Sequence, residues 1–144
     1  MTTFPRWYTP VVVLAIVWNA LGCFAVFSDL SLTPEQVAAM PQAMQDAYQQ
    51  RPTWSVIASA VAVLGGLLGS LLLAQKNPRA PVLLWASLVG VVLQDISFAL
   101  NASSRALMDT PTLLMQGAVL VIALLLLKLG YKVIDWRLAA FDQR

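Results

Sequence analysis

Four long apolar stretches alternate with short polar ones along the chain, at about 10–28, 54–74, 80–100 and 111–131. Each is close to the roughly 20 residues that a helix needs to cross a bilayer. Asp95 is the only carboxylate well inside a stretch, and Lys128 stands near enough to the end of the fourth to snorkel toward headgroups. The pattern predicts an all-α, polytopic membrane protein, a four-transmembrane-helix bundle forming one membrane domain over residues 1–144. The first outer loop, 29–53, is the only connection with room for structure of its own. Thr33 followed by Pro34 and Gln36 reads as a capped helix start, and Val37, Met40, Met44, Ala47 and Tyr48 recur at spacings of three and four. A short amphipathic helix, bent or restarted at Pro41, is therefore expected there. It serves either as an interfacial shield or as a lid or docking surface. The tail, 132–144, continues the last helix, with Ile134, Leu138 and Phe141 on lipid and Lys132 and Arg137 reaching phosphates.

Within the spans, small and polar residues gather on one seam of each helix. On the second span Ser55, Ala58, Ala62, Gly65 and Gly69 share a face, with Ser59, Gly66 and Ser70 beside them. Ser87, Gly90, Gln94, Ser97 and Asn101 repeat on the third. Thr112, Gln116, Val119, Ala123 and Gly130 line up on the fourth, and Ala15, Asn19, Gly22 and Cys23 lie close together on the first. In lipid, helices associate by packing and interhelical hydrogen bonds, so small residues mark contact faces. Gly22, Ala62, Gly65, Gly66, Gly69 and Gly90 are the expected packing positions, and four inward seams predict a compact bundle. Asn19 falls near the midplane, where burial demands a partner, and Gln94 or Gln116 is expected to supply it. Asn19, Ser55, Ser59, Gln94, Ser97 and Gln116 form a candidate polar pocket opening outward and closed inward, readable as hydrogen-bonded glue or as a ligand site. Asp95 lies off the third seam. It reads as a proton or cation relay, as a contact to a partner, or as a carboxylate bonded to the outer-loop helix.

Composition agrees with this membrane reading and narrows the chemistry. The 144 residues are 59% hydrophobic and 11% charged, too few charges to cover a soluble globule of this size. With no His and one Cys, no dithiol centre, His-ligated haem or zinc site can be assembled, so no metal or cofactor is expected. A net charge of +2 without a basic cluster gives nucleic-acid binding no support. Seven basic residues, Arg6, Lys76, Arg79, Lys128, Lys132, Arg137 and Arg144, fall on the side of the termini, and only Arg51 and Arg105 fall on the other. This bias predicts cytoplasmic termini. Trp7, Tyr8, Trp85, Tyr131 and Trp136 at inner ends and Trp54 at an outer end fit aromatic belts. Leu21-Gly22-Cys23 hints at a lipoprotein cleavage site, but the apolar run is long for a signal and Ala20 stands where Leu is usual, so an uncleaved span is expected.

At Trp18-Asn19-Ala20-Leu21-Gly22, Pro52-Thr53-Trp54, the run Ala62 to Ser70 and Ser87-Leu88-Val89-Gly90-Val91, the chain resembles a group of small bacterial inner-membrane proteins of four spans, some loosely labelled sugar transporters. The resemblance implies a multi-pass protein of the bacterial inner membrane and passes on no catalytic residues. Small multidrug exporters carry a carboxylate in mid first span, where Asn19 stands here, and membrane thiol oxidoreductases need Cys pairs. The leading expectation is a non-enzymatic accessory or interaction subunit, partnered by the lipid bilayer and by a second copy or other membrane proteins. The alternative is a small transporter or ligand-binding protein using the outward pocket. An enzyme ranks third.

Overall fold

The computed structural model describes residues 4–142, so Arg144 lies outside the described residues. Four helices are long and apolar enough to span a membrane: α1 (Tyr8–Leu30), α4 (Thr53–Ala74), α5 (Ala80–Leu100) and α7 (Thr110–Asp142). The protein is an all-α, four-helix membrane bundle. Three short helices, α2 (Pro34–Ala38), α3 (Gln42–Gln49) and α6 (Ala102–Arg105), cover the end opposite the termini, called here the loop end. The outer-loop helix is broken in two at Pro41, and the expected capping box is formed. Thr33 Oγ1 accepts from the Gln36 amide and Gln36 Oε1 accepts from the Thr33 amide. The last helix runs without interruption through the predicted tail to Asp142. The turn α6 was not apparent in the sequence. Its signal is Asn101, whose Oδ1 accepts from the amides of Ser103 and Ser104.

Helix order in space is α1, α4, α5, α7, with α4 and α5 forming the tight central pair. The reason is the run of small residues. A Cβ placed on Gly90 would lie 2.6 Å from Ala62 N and 2.7 Å from Ala58 O, and one on Gly65 would lie 3.0 Å from Leu83 O and Ser87 N. Two backbones therefore meet where side chains have been removed from both. Ser87 Oγ donates to Ala62 O across the same contact at 2.6 Å. Gly69 receives Leu84, and a Cβ placed on Gly22 of α1 would lie 3.2 Å from the Val63 side chain. Ile57, Val61, Leu64, Leu68 and Leu71 stand exposed on the other side of α4, as the seam requires.

The α4–α5 turn closes as a Schellman motif. Asn77 N donates to Leu72 O and Lys76 N to Leu73 O, with Lys76 in the left-handed region at φ 53°. A lysine there is held from two sides: its ammonium lies 4.3 Å from the Phe4 ring centroid, and its carbonyl accepts from Arg137. Around this turn the bundle is sealed. Tyr8, Val12, Leu73, Ala80, Leu84, Leu129 and Val133 are buried together, and Tyr8 and Trp136 pack edge-on with centroids 5.8 Å apart.

The loop end is more loosely packed. The backbones of α1 and α7 scarcely approach each other, and the first half of α7 is mostly exposed. The physical cause is side-chain size. Where these two helices face, Trp18, Leu21, Ile122 and Leu126 stand between them, and the small residues Gly22 and Ala123 line the chamber. Gly117 has nothing within 4 Å of an added Cβ. Gly117→Ala should therefore stabilise the protein by up to about 1 kcal/mol through helix propensity alone, read as a raised thermal midpoint in detergent.

Asp109 starts α7: its Oδ1 accepts from the Thr112 amide at 2.9 Å. Hydrogen bonding from the Thr112 side chain, and then from its amide, favours the ionised form and holds the carboxyl below its usual value. A lowered folded-state value gives stability that is present above the unfolded carboxyl range and lost as pH falls through the folded value. Acidification below about pH 4 should fray the start of α7, seen as faster amide exchange at 112–116. Asp109→Asn, which still caps, should remove that pH dependence.

Candidate functional site

Two cavities share Ala25, Val26 and Gln94, one at the loop end and the other in the middle of the bundle, reaching Leu84 and Leu126 of the buried core. The outer one, about 250 Å³, is lined by Asp29, Arg51, Ser55, Ser59, Gln94, Ser97, Asn101 and Ser104 among apolar neighbours. The inner one, about 440 Å³, is walled by α1, α4, α5 and α7. Only Asn19, Ser87 and Gln94 are polar among its side chains apart from the Trp18 indole. Together they extend from Asp29 to Asn19 along α1, about 15 Å at 1.5 Å per residue.

The mouth is electrically balanced. Asp29 at the end of α1 and Arg51 just before α4 form an ion pair, and the Arg51 guanidinium also covers the Tyr48 ring at 4.8 Å. Tyr48 OH donates to Asp29 O at 3.4 Å. Asn101 Nδ2 donates to Gln50 O and Ser103 Oγ to Gln50 Oε1, so the first outer loop is latched onto the α5–α7 connection. Ser55 Oγ donates to Pro52 O and Ser59 Oγ to Ser55 O. Both hydroxyls spend their proton on the backbone and present lone pairs to the cavity.

The partner of Asn19 is neither of the glutamines expected. Its Nδ2 donates to Ala15 O at 2.8 Å and to Ser70 Oγ at 3.3 Å, and its Oδ1 lies against Gly66, where a Cβ would overlap it. Glycine at 66 is what lets the asparagine lie down onto α4. Gln94 lines both cavities and also a shallow groove that holds Gln116 with Phe98, Thr112 and Met115. The candidate set is thus divided. Ser55, Ser59, Gln94 and Ser97 line the outer cavity, Asn19 and Gln94 the inner one, and Gln116 neither.

Asp95 is half-buried on α5 and lines neither cavity. The expected bond to the outer-loop helix is not formed. That loop reaches α5 through Asn101 instead, six residues, or about 9 Å, further along the axis. No ion pair of Asp95 occurs among the described residues, where the one pair is Arg51 with Asp29.

Sequence reasoning missed the Asp29–Arg51 pair and the role of Trp18. Opposite charges at the facing ends of consecutive antiparallel spans were the available signal for the pair; nothing in the sequence marked Trp18. No group of three potential metal ligands occurs among the described residues. Comparison with known proteins found no matching family model, no matching curated protein and no matching solved structure.

Proposed function

We propose that this chain is a non-enzymatic protein of the bacterial inner membrane that holds a small ligand in the loop-side cavity. The observation that carries this reading is a polar mouth set against an apolar chamber of about 440 Å³, with Ala25, Val26 and Gln94 lining both, and that volume is inside the usual range for ligand pockets of roughly 300–1,000 Å³. Glue alone does not require such a space: structural serines and amides cross-link helices whose backbones come close, and those of α1 and α7 scarcely do. The bias of Lys and Arg toward the terminal end supports cytoplasmic termini and a cavity facing the periplasm.

The test uses the single native cysteine to advantage. In a Cys23→Ser background, Ser59→Cys and Gln49→Cys should react in intact cells with a membrane-impermeant thiol reagent, and Asn77→Cys should react only after lysis. Protein purified in mild detergent should carry a small molecule near one per chain by native mass spectrometry. A shielded Ser59→Cys together with a ligand-free protein sinks the proposal.

A second reading, an accessory subunit of a membrane assembly, has one observation of its own. A half-buried carboxylate with no ion partner among the described residues, set away from the cavity, is the kind of group a neighbouring protein satisfies. Asp95→Leu should then release co-purifying proteins while leaving the cavity ligand in place.

A further inference from the structure

We propose that the gap between α1 and α7 is a lateral port, and that the ligand is a single-chain lipid with an uncharged, hydroxyl-bearing head drawn from the bilayer. The inference rests on the ligand-holding reading above and adds the chemical class and the route. A groove of about 390 Å³ runs along the outside of the α1–α7 seam, lined by apolar side chains such as Val11, Leu14 and Leu125. Trp18, Leu21, Ile122 and Leu126 line both this groove and the inner cavity, so only these four side chains stand between hydrocarbon and chamber. No charged side chain lines the groove or the chamber, so the path from the hydrocarbon to the chamber is apolar throughout. Water does not suit this chamber, since each buried molecule needs two to four polar partners.

Size separates a lipid chain from a helix of a second copy. An occupant that reaches the chamber from the bilayer passes between Trp18, Leu21, Ile122 and Leu126. A thin, flexible acyl chain does so by small side-chain movements, whereas a helix about 10–12 Å across with its side chains would have to spread α1 from α7.

The head follows from the hydrogen-bond inventory of the mouth. Ser55 and Ser59 have committed their protons to backbone carbonyls, and Asn101 Oδ1 is taken by two amides. The serine hydroxyls therefore seek donors. Arg51, the one cation of the mouth, is already neutralised by Asp29, which removes the attraction for a carboxylate or phosphate. A head that donates hydroxyl protons to Ser55 and Ser59 and exchanges bonds with the Gln94 amide meets these demands; an anion, which only accepts, does not.

The experiment uses the full chain in phosphatidylcholine nanodiscs with a monoacylglycerol carrying a diazirine on its chain. Photolabelling should concentrate on Trp18, Leu21, Met115 and Ile122. Val119→Trp, which plugs the chamber, should lower the yield about tenfold, as should Ala123→Phe, while Val61→Trp on the lipid-facing side of α4 should not. Thermal midpoints within a few degrees of wild type identify the variants that are read. Excess unlabelled monoacylglycerol should compete and an equal amount of fatty acid should not. Labelling equally dense on Leu64, Leu68 and Val89 and indifferent to the plugs overturns the port. Equal competition by the fatty acid overturns the head. Quantitative disulfide dimers of Leu14→Cys, in the Cys23→Ser background, place a second copy in the groove and overturn the lipid. If Ser59→Cys is water-accessible but no plug-sensitive labelling occurs, only the lipid inference fails. If Ser59→Cys is shielded and no ligand co-purifies, the ligand-holding reading fails with it.

Discussion

Replacing Gly90 with Leu should unfold the bundle or strip α5 from α4. Even the Cβ alone meets backbone, Ala62 N at 2.6 Å and Ala58 O at 2.7 Å, and backbone cannot swing aside as a side-chain terminus can. Overpacking in a close-packed interior costs about 1–3 kcal/mol or more, which sets the expected penalty for Gly90→Ala. Leucine adds three further carbons at the same place. It would force the helices apart along a contact that also holds the buried Ser87–Ala62 bond. Gly69→Ala is the instructive contrast. There the nearest atom is Leu84 Cδ2 at 2.6 Å, the end of a flexible chain, and the cost should be smaller. Thermal unfolding of the purified variants in one detergent orders them; equal losses at Gly69 and Gly90 would refute the backbone-contact argument.

Tyr8→Ala should be nearly as damaging, by about 3–5 kcal/mol as for other large-to-Ala changes in a core. Tyr8 is 2% exposed, packs beside Phe4 and Trp136, and donates its hydroxyl to Leu73 O at 2.6 Å. It ties α1 to the last turn of α4 and, through Trp136, to α7, at the end where the bundle is closed. Because α1 and α7 have little contact elsewhere, loss of this cluster should loosen the cavity as well. Tyr8→Phe separates the two contributions. Leu73 O keeps its bond from Lys76 N at 2.7 Å, so removing the hydroxyl leaves no orphaned acceptor and should cost about 1 kcal/mol or less. Faster amide exchange along α1 in Tyr8→Ala, but not in Tyr8→Phe, is the expected signature. Unchanged exchange in both would show that the terminal cluster does not hold α1.

The four spans, the small-residue seams and the capped helix after Thr33 were all legible along the chain. Each depends on residues near one another in sequence: about 20 apolar residues, a spacing of three and four, a Thr three positions before a Gln. The seam of α4 even identified which residues face lipid. Pairing between seams was not legible. Asn19 can be placed near the middle of α1 by counting, but whether it meets Gln94, Gln116 or Ser70 depends on the rotation and separation of helices, and the glycine at 66 settled that in favour of Ser70. Asp95 likewise could be seen to lie off the seam, yet only the position of the outer loop over Asn101 decided that it stays unbonded to that loop.

By itself, then, the sequence determined what each helix buries and which ends carry charge, because periodicity and composition are properties of one segment at a time. Polar positions in the outer half already pointed to a pocket opening outward; tertiary structure decided which helices meet closely and which stay apart. Small residues on α4 and α5 let two backbones meet, while Trp18, Leu21, Ile122 and Leu126 hold α1 and α7 apart. A chamber is the difference between those two contacts, and no single helix contains that information.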